Sequence, residues 1–176
     1  MKFIPTSLAG AHIIEPERLA DERGYFARTF CRDEFSAHGL TPDLVQCNVS
    51  FNQKKGTLRG MHYQAKPHEE AKLVRCTLGS IFDAIIDIRT GSSTFGQWFA
   101  AELSVANGRM LYVPEGFAHG FQTLEDDSEV FYQMSEKYFP ESACGIRWND
   151  PAVAIRWPLP DPIISRRDAG YSDFMP

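Results

Sequence analysis

Along the middle of the chain, apolar and polar residues alternate in short runs, the period-two pattern of half-buried β-strands. Residues 72–78 carry it, and further short β-type runs follow at 81–88, 98–104, 110–113, 119–124 and 130–134. Turn formers separate the runs: Gly79, Gly91, Asn107–Gly108, Pro114 with Gly116, and Asp126–Asp127. Asn107–Gly108, lying between two apolar runs, is the strongest hairpin signal present. One short helix is signalled over residues 31–38, which lack Pro and Gly, carry Asp33 and Glu34 early, and stop at Gly39. Strands this short and this evenly spaced predict an all-β antiparallel sandwich or barrel with a few short peripheral helices. The final third holds Pro140, Pro151, Pro158, Pro160 and Pro162 and reads as irregular coil wrapped around that barrel. No repeat, linker or βαβ alternation divides the chain, so residues 1–176 are expected to form a single domain.

Composition changes this picture only by exclusion. With 176 residues, 43% of them hydrophobic, the chain can bury one sizeable core. Its 18 basic and 23 acidic side chains give a net charge of −5, which argues against nucleic acid as the partner, because phosphate neutralisation needs a basic surface. No run approaches the roughly 18 apolar residues of a membrane span. The first residues, broken by Pro5 and then acids, do not read as a secretion signal. Cys31, Cys47, Cys76 and Cys144 are scattered without a CxxC pair, as free thiols in a reducing cytoplasm would be.

Two segments bear on chemistry. Gly56-x5-His62 and Gly108-x5-Pro114-x-Gly116-x2-His119 resemble the paired motifs of the cupin superfamily, whose fold is a jelly-roll barrel. In metal-binding members the first motif continues His-x-His and then supplies a Glu. Here Gln64 holds the second His position and Lys72 falls in the following strand, a weak ligand and a repelling cation. His62, His119 and Glu69 or Glu70 are the residues from which a metal site would have to be assembled. The substitutions argue for a barrel without a metal centre.

The same residues carry a closer resemblance. Lys55-Gly-Thr-Leu-Arg-Gly-Met-His-Tyr-Gln64, Lys72-Leu-Val-Arg75, Pro114-Glu-Gly-Phe-Ala-His-Gly-Phe121 and Trp148-Asn-Asp-Pro151 occur in that order, with Asp21-Glu-Arg-Gly24 before them and Ser165-x-x-Asp168 after. Together they resemble the dTDP-4-dehydrorhamnose 3,5-epimerase family over nearly the whole chain. The resemblance implies a homodimeric jelly roll acting on a 4-keto-6-deoxy sugar linked to a nucleoside diphosphate. It also implies inversion at C3 and C5 without metal or organic cofactor, in the making of L-rhamnose or a related deoxysugar.

Epimerisation beside a ketone needs a base on one face, an acid on the other, and a positive group at the enolate oxygen. Imidazole titrates near neutrality, and the resemblance assigns the base to His62. It assigns Asp168 to orient that imidazole, although Ser165-x-x-Asp168 also reads as a capping box closing a helical turn. It makes Tyr132 the acid, where an isolated Tyr between Phe131 and Met134 would read as core. Lys72, inward by alternation with Val74 and Cys76, would meet the C4 oxygen. Arg23 and Arg59 suit the diphosphate. Strict alternation turns Arg59 away from His62 unless Gly60 marks a bulge. His119 is expected in the cavity as a donor, with Asp83, inward by parity, beside it. Gln46 and Asn48 match substrate-contacting positions, and Tyr138 the residue that stacks on thymine. Glu69–Glu70 and residues 125–127 read as solvated charge runs.

Three departures from the family pattern touch the nucleotide or subunit side: Arg28 where a Glu is usual, Gln133 where a Lys is usual, and Ala143–Cys144 before Gly145–Ile146. They leave the proton-transfer set intact and leave the base open. Competing readings are a 3-epimerase or 3,4-ketoisomerase on a related sugar, a metal-dependent cupin enzyme, and a non-catalytic sugar-nucleotide binding module.

Overall fold

The computed structural model describes residues 1–174. The first half of the chain supplies β1 (Lys2–Pro5), β2 (His12–Glu15), β3 (Arg18–Asp21), β4 (Gly24–Ala27), α1 (Arg32–Ala37), β5 (Gln46–Asn52), β6 (Thr57–Gln64), β7 (Lys72–Leu78) and β8 (Ser80–Asp87). The second half supplies β9 (Trp98–Ser104), β10 (Met110–Val113), β11 (Phe117–Thr123), β12 (Ser128–Met134), a 3₁₀ turn at Pro140–Ser142, β13 (Ala143–Gly145), β14 (Ile163–Ile164) and α2 (Arg166–Ala169). Two sheets face each other as a jelly roll. One runs β1-β2-β10-β7-β12-β5 and the other β13-β6-β11-β8-β9, with β14 added in parallel to β6; β3 and β4 pair only with each other.

Period-two sorting of side chains builds the core. Val74, Cys76, Leu111 and Val130 of the first sheet meet Ile81, Ile85, Leu103, Phe117 and Phe121 of the second. The alternate residues face outward and are covered in turn. Phe35 of α1 packs with Ile14, Leu73, Met110 and Tyr112 on the first sheet. The Pro-rich final third covers the second sheet, setting Ile146, Val153 and Trp157 against Met61, Ala84, Ile86 and Ala118. The helix expected over residues 31–38 is present, with Cys31 and His38 as its caps and Gly39 left-handed at φ +69°.

One turn expectation is corrected. Asn107–Gly108 does not close a hairpin: β9 and β10 lie in different sheets, so the pair makes a corner between them. The Asn107 side chain accepts from the N–H of Ser104 and Arg109 and donates to the Glu102 carbonyl, which turns the chain without continuing a ladder.

The feature that positions the site is an irregularity in β6. Opposite β11, His62 pairs with His119 and Arg59 with Phe121, three steps along one strand against two along the other. The extra residue is a β-bulge at Gly60–Met61. Gly60 has φ +140°, and a Cβ there would stand 2.5 Å from the Gly120 Cα, so neither the backbone nor the neighbouring strand tolerates a side chain.

Candidate active site

A cavity of about 420 Å³ lies between the sheets and draws its lining from both. Asn48 and Ser50 of β5, Lys72 of β7 and Tyr132 of β12 come from one sheet; Arg59 and His62 of β6 and His119 of β11 come from the other. Tyr138 and Arg167 contribute to the same lining from outside the sheets. The bulge explains how Arg59 and His62, three apart, share this face, while Met61 between them is buried on the outer side.

His62 Nε2 lies 2.9 Å from Asp168 Oδ1. The other Asp168 oxygen accepts the Gly60 N–H at 3.2 Å, so the bulge helps hold the carboxylate. Ser165 Oγ accepts the Asp168 N–H at 3.0 Å and starts α2. Only half of the capping box is formed: Ser165 caps the turn, while the Asp168 side chain goes to His62 and the Gly60 N–H instead of back to Ser165. Asp168 is buried. Burial pushes its carboxyl up, but the His62 hydrogen bond and charge and the Gly60 N–H outweigh this and hold it below the usual carboxylate range. The Tyr171 ring meets the imidazole edge-on at 5.9 Å, and Gly145 beside them leaves no Cβ to collide with that ring.

A second imidazole–carboxylate pair stands next to the first. His119 Nε2 is 2.8 Å from Asp83 Oδ1, and Asp83 is fully buried as its parity predicted. Its Oδ2 makes no hydrogen bond among the described residues. Lys72 is inward, like Val74 and Cys76, and its Nζ pairs with Glu70 Oε1 at 2.9 Å. Glu70 is thus not the solvated charge that Glu69–Glu70 suggested. It turns inward because Lys72 and Gln64 satisfy it there. Tyr132, across the sheet from Asn48 and Val74, points its half-buried ring into the cavity.

The expected substrate-contacting residues divide. Arg59 is aimed by Asn52, whose side-chain oxygen accepts from Nε at 2.8 Å. Gln46 does not line the cavity. Its amide accepts the Tyr138 N–H at 3.1 Å and so holds the residue that does. Arg23 is not brought to the cavity within one chain. It is 84% exposed and paired with Asp21 at the tip of the isolated β3–β4 hairpin. Of the departures, Arg28 is paired with Glu34 at 2.8 Å, Gln133 falls on the outward parity of β12, and Ala143 and Cys144 both line the cavity.

Metal coordination does not fit these donors. Gln64 donates its amide N–H to Glu70, and Glu70 is committed to the Lys72 ammonium, so the acid the cupin pattern would offer a cation already holds one. Among the described residues no three His, Cys, Asp or Glu side chains converge. Ser50, Tyr63 and Arg167 belong to the cavity without having been singled out for it. Arg167 had a signal, its place beside Asp168; the others depend on pairing partners far off in sequence.

The chain matches the family model for dTDP-4-dehydrorhamnose 3,5-epimerase over residues 5–175. A Methanothermobacter thermautotrophicus protein of that name is 47% identical over 97% of this chain and 92% of its own. The crystal structure of the Elizabethkingia anophelis protein of that name superposes with a TM-score of 0.96 at 38% identity, covering 99% of this chain and 96% of that one. A Legionella pneumophila epimerase crystallised with dTDP-4-keto-L-rhamnose gives 0.92 at 41% identity, covering 98% and 92%. With a match this long on both sequence and structure, the chain belongs to the dTDP-4-dehydrorhamnose 3,5-epimerase family.

Proposed function

We propose that this protein inverts C3 and C5 of dTDP-4-keto-6-deoxyglucose, supplying dTDP-linked L-rhamnose or a related deoxysugar. The observation that supports this reading is that His62 with Asp168 lies on one wall of the cavity and Tyr132 on the other, an arrangement suited to a base and an acid. A sugar ring held between the walls presents one face to each. His62 takes the proton from the carbon beside the ketone, and Asp168 stabilises the imidazolium and fixes the ring's orientation. Lys72 and His119 donate to the C4 oxygen as it gains enolate charge. Tyr132 returns a proton to the opposite face, completing inversion. Arg59 takes the diphosphate and Tyr138 stacks on the base. These steps use side chains alone, with neither metal nor organic cofactor.

The reading includes a homodimer. The β3–β4 hairpin leaves Leu19, Tyr25 and Phe26 exposed, and edge strand β5 leaves Val49 and Phe51 exposed, apolar area of the kind a partner covers. In that dimer Arg23, stranded within one chain, reaches the partner's substrate; light scattering at twice the chain mass is expected. No helix among the described residues is long and apolar enough to cross a membrane. The cysteines are free, consistent with work in the cytoplasm on a soluble nucleotide sugar, with neither nucleic acid nor membrane as partner.

Two variants test the assignment of roles. His62→Ala should fold normally and lose roughly 10²–10⁴-fold in turnover, the scale of general base catalysis. Tyr132→Phe should still exchange the C3 proton with solvent while failing to yield inverted product. Normal inversion by Tyr132→Phe would remove Tyr132 as the acid.

A further inference from the structure

The cavity's ammonium does not stand free. Lys72 and Glu70 are each only 8% exposed in their side chains, with Nζ and Oε1 2.9 Å apart. The second Glu70 oxygen accepts from Gln64 Nε2 at 3.0 Å. Gln64 is itself buried, its oxygen taking the Phe139 N–H at 2.6 Å and its nitrogen facing the His68 and Lys137 carbonyls at 3.0 Å each. The backbone joining the two charges is pinned as well. The Ala71 N–H donates to Ser135 Oγ at 2.8 Å, and the Ser135 N–H returns to the Ala71 carbonyl at 3.0 Å. Both oxygens of the Glu70 carboxylate are therefore engaged, on a stretch of chain tied to Ser135 by two hydrogen bonds.

Burying two charges is costly, and it persists only where geometry and hydrogen bonding are good. If packing were the only need, apolar residues of similar volume would serve as well. What the pair provides instead is direction. A lysine ammonium rides on a flexible stem of four carbons and, unpaired, samples many positions. One of its three donors, spent on a fixed carboxylate, places the other two.

We propose that Glu70 is a positioning residue: bridging Gln64 and Lys72, it aims the Lys72 ammonium at the C4 oxygen of the substrate. This rests on the function proposed above. The requirement is for an anchored acceptor at this point, so the amide, which keeps the acceptor but gives up the Gln64 anchor, should restore part of what truncation removes.

Steady-state kinetics and solvent-deuterium exchange on Glu70→Ala and Glu70→Gln decide it, with thermal midpoints measured alongside. In Glu70→Ala, kcat should fall roughly 10–100-fold, as misplacement of a catalytic group does, while KM changes less than about threefold. Glu70→Gln, whose amide oxygen still accepts from Lys72 but whose NH2 now faces the Gln64 amide nitrogen, should be at least about threefold faster than Glu70→Ala without reaching wild type. Added to Lys72→Met, Glu70→Ala should cost no further exchange, because the group it positions is gone. An equal loss in both backgrounds assigns Glu70 a structural role and overturns the proposal, as does wild-type kcat in Glu70→Ala. Should Lys72→Met fail to fold, recovery by Gln and not by Ala decides alone. Absence of exchange at both C3 and C5 in the wild-type protein would sink the proposed function itself. Exchange in the wild type with an indifferent Glu70→Ala sinks only the positioning role.

Discussion

At the scale of single residues, the site is a set of side chains each held by a specific partner, His62 by Asp168, His119 by Asp83 and Arg59 by Asn52, with the Tyr138 backbone N–H held by Gln46. Asp168→Asn keeps the shape of the first pair and changes what it can hold, since an amide cannot stabilise an imidazolium and selects the wrong ring orientation. Its kcat should fall by as much as about 10⁴-fold, the ceiling for an orienting carboxylate in a triad, without loss of folding. Unchanged kcat would mean that Asp168 only fastens α2 to β6. That His62, Lys72, His119 and Tyr132 would line one cavity was legible in the sequence, because they sit in contiguous motifs or on strands whose parity fixes their direction. Their holders were less so. Asn52 and Glu70 carry no local signature, and Glu70 looked like one of two solvated acids until the fold gave it Lys72 and Gln64.

At the scale of elements, the active face of β6 exists because the strand miscounts by one. The Gly60 bulge turns Arg59 and His62 to the same side and presents an N–H to Asp168. Gly60→Ala adds a Cβ into the Gly120 backbone and forces a left-handed φ on alanine. Destabilisation of roughly 2 kcal/mol or more is expected from that strain and overlap. Denaturant melts would show it, and stability equal to wild type would mean that the bulge is not what fixes the register. The short apolar runs marked the strands from β7 to β12 with errors of at most two residues, because most of these strands are buried on one or both faces and are bounded by turn formers. Strands β1 to β5, β13 and β14 went unmarked: β1, β5 and β13 lie at sheet edges, β14 is two residues long, and β3 and β4 pair only with each other, so no buried face disciplines those two. The Asn107–Gly108 corner was misread as a hairpin because turn chemistry is local, whereas the sheet a strand joins is not.

At the scale of the whole molecule, two sheets line one cavity from opposite walls, and outlying buried charges hold the sheets' loops in place. Asp87 is fully buried. Burial pushes its carboxyl up, but hydrogen bonds from Arg89, Ser92 and Thr94 outweigh this and hold it far below the usual carboxylate range. Its folded-state pKa is depressed, as is that of Asp168, so their stabilisation is present above the unfolded carboxylate value near about 4 and is lost as pH falls through the folded values. Thermal midpoints should be insensitive to these groups above about pH 5 and decline below about pH 4, with a shallower decline in Asp87→Asn. An acid slope identical in that variant would place the sensitivity elsewhere.

The most direct test of the central claim, inversion at both carbons by groups on opposing walls, is incubation of the wild-type protein with dTDP-4-keto-6-deoxyglucose in D₂O, followed by NMR of the sugar. Deuterium at both C3 and C5 in the inverted product is the expected result. Label at C3 alone would contradict double inversion and reduce the activity to a 3-epimerase. Absence of label at either carbon, from folded protein, would contradict the assignment of this substrate.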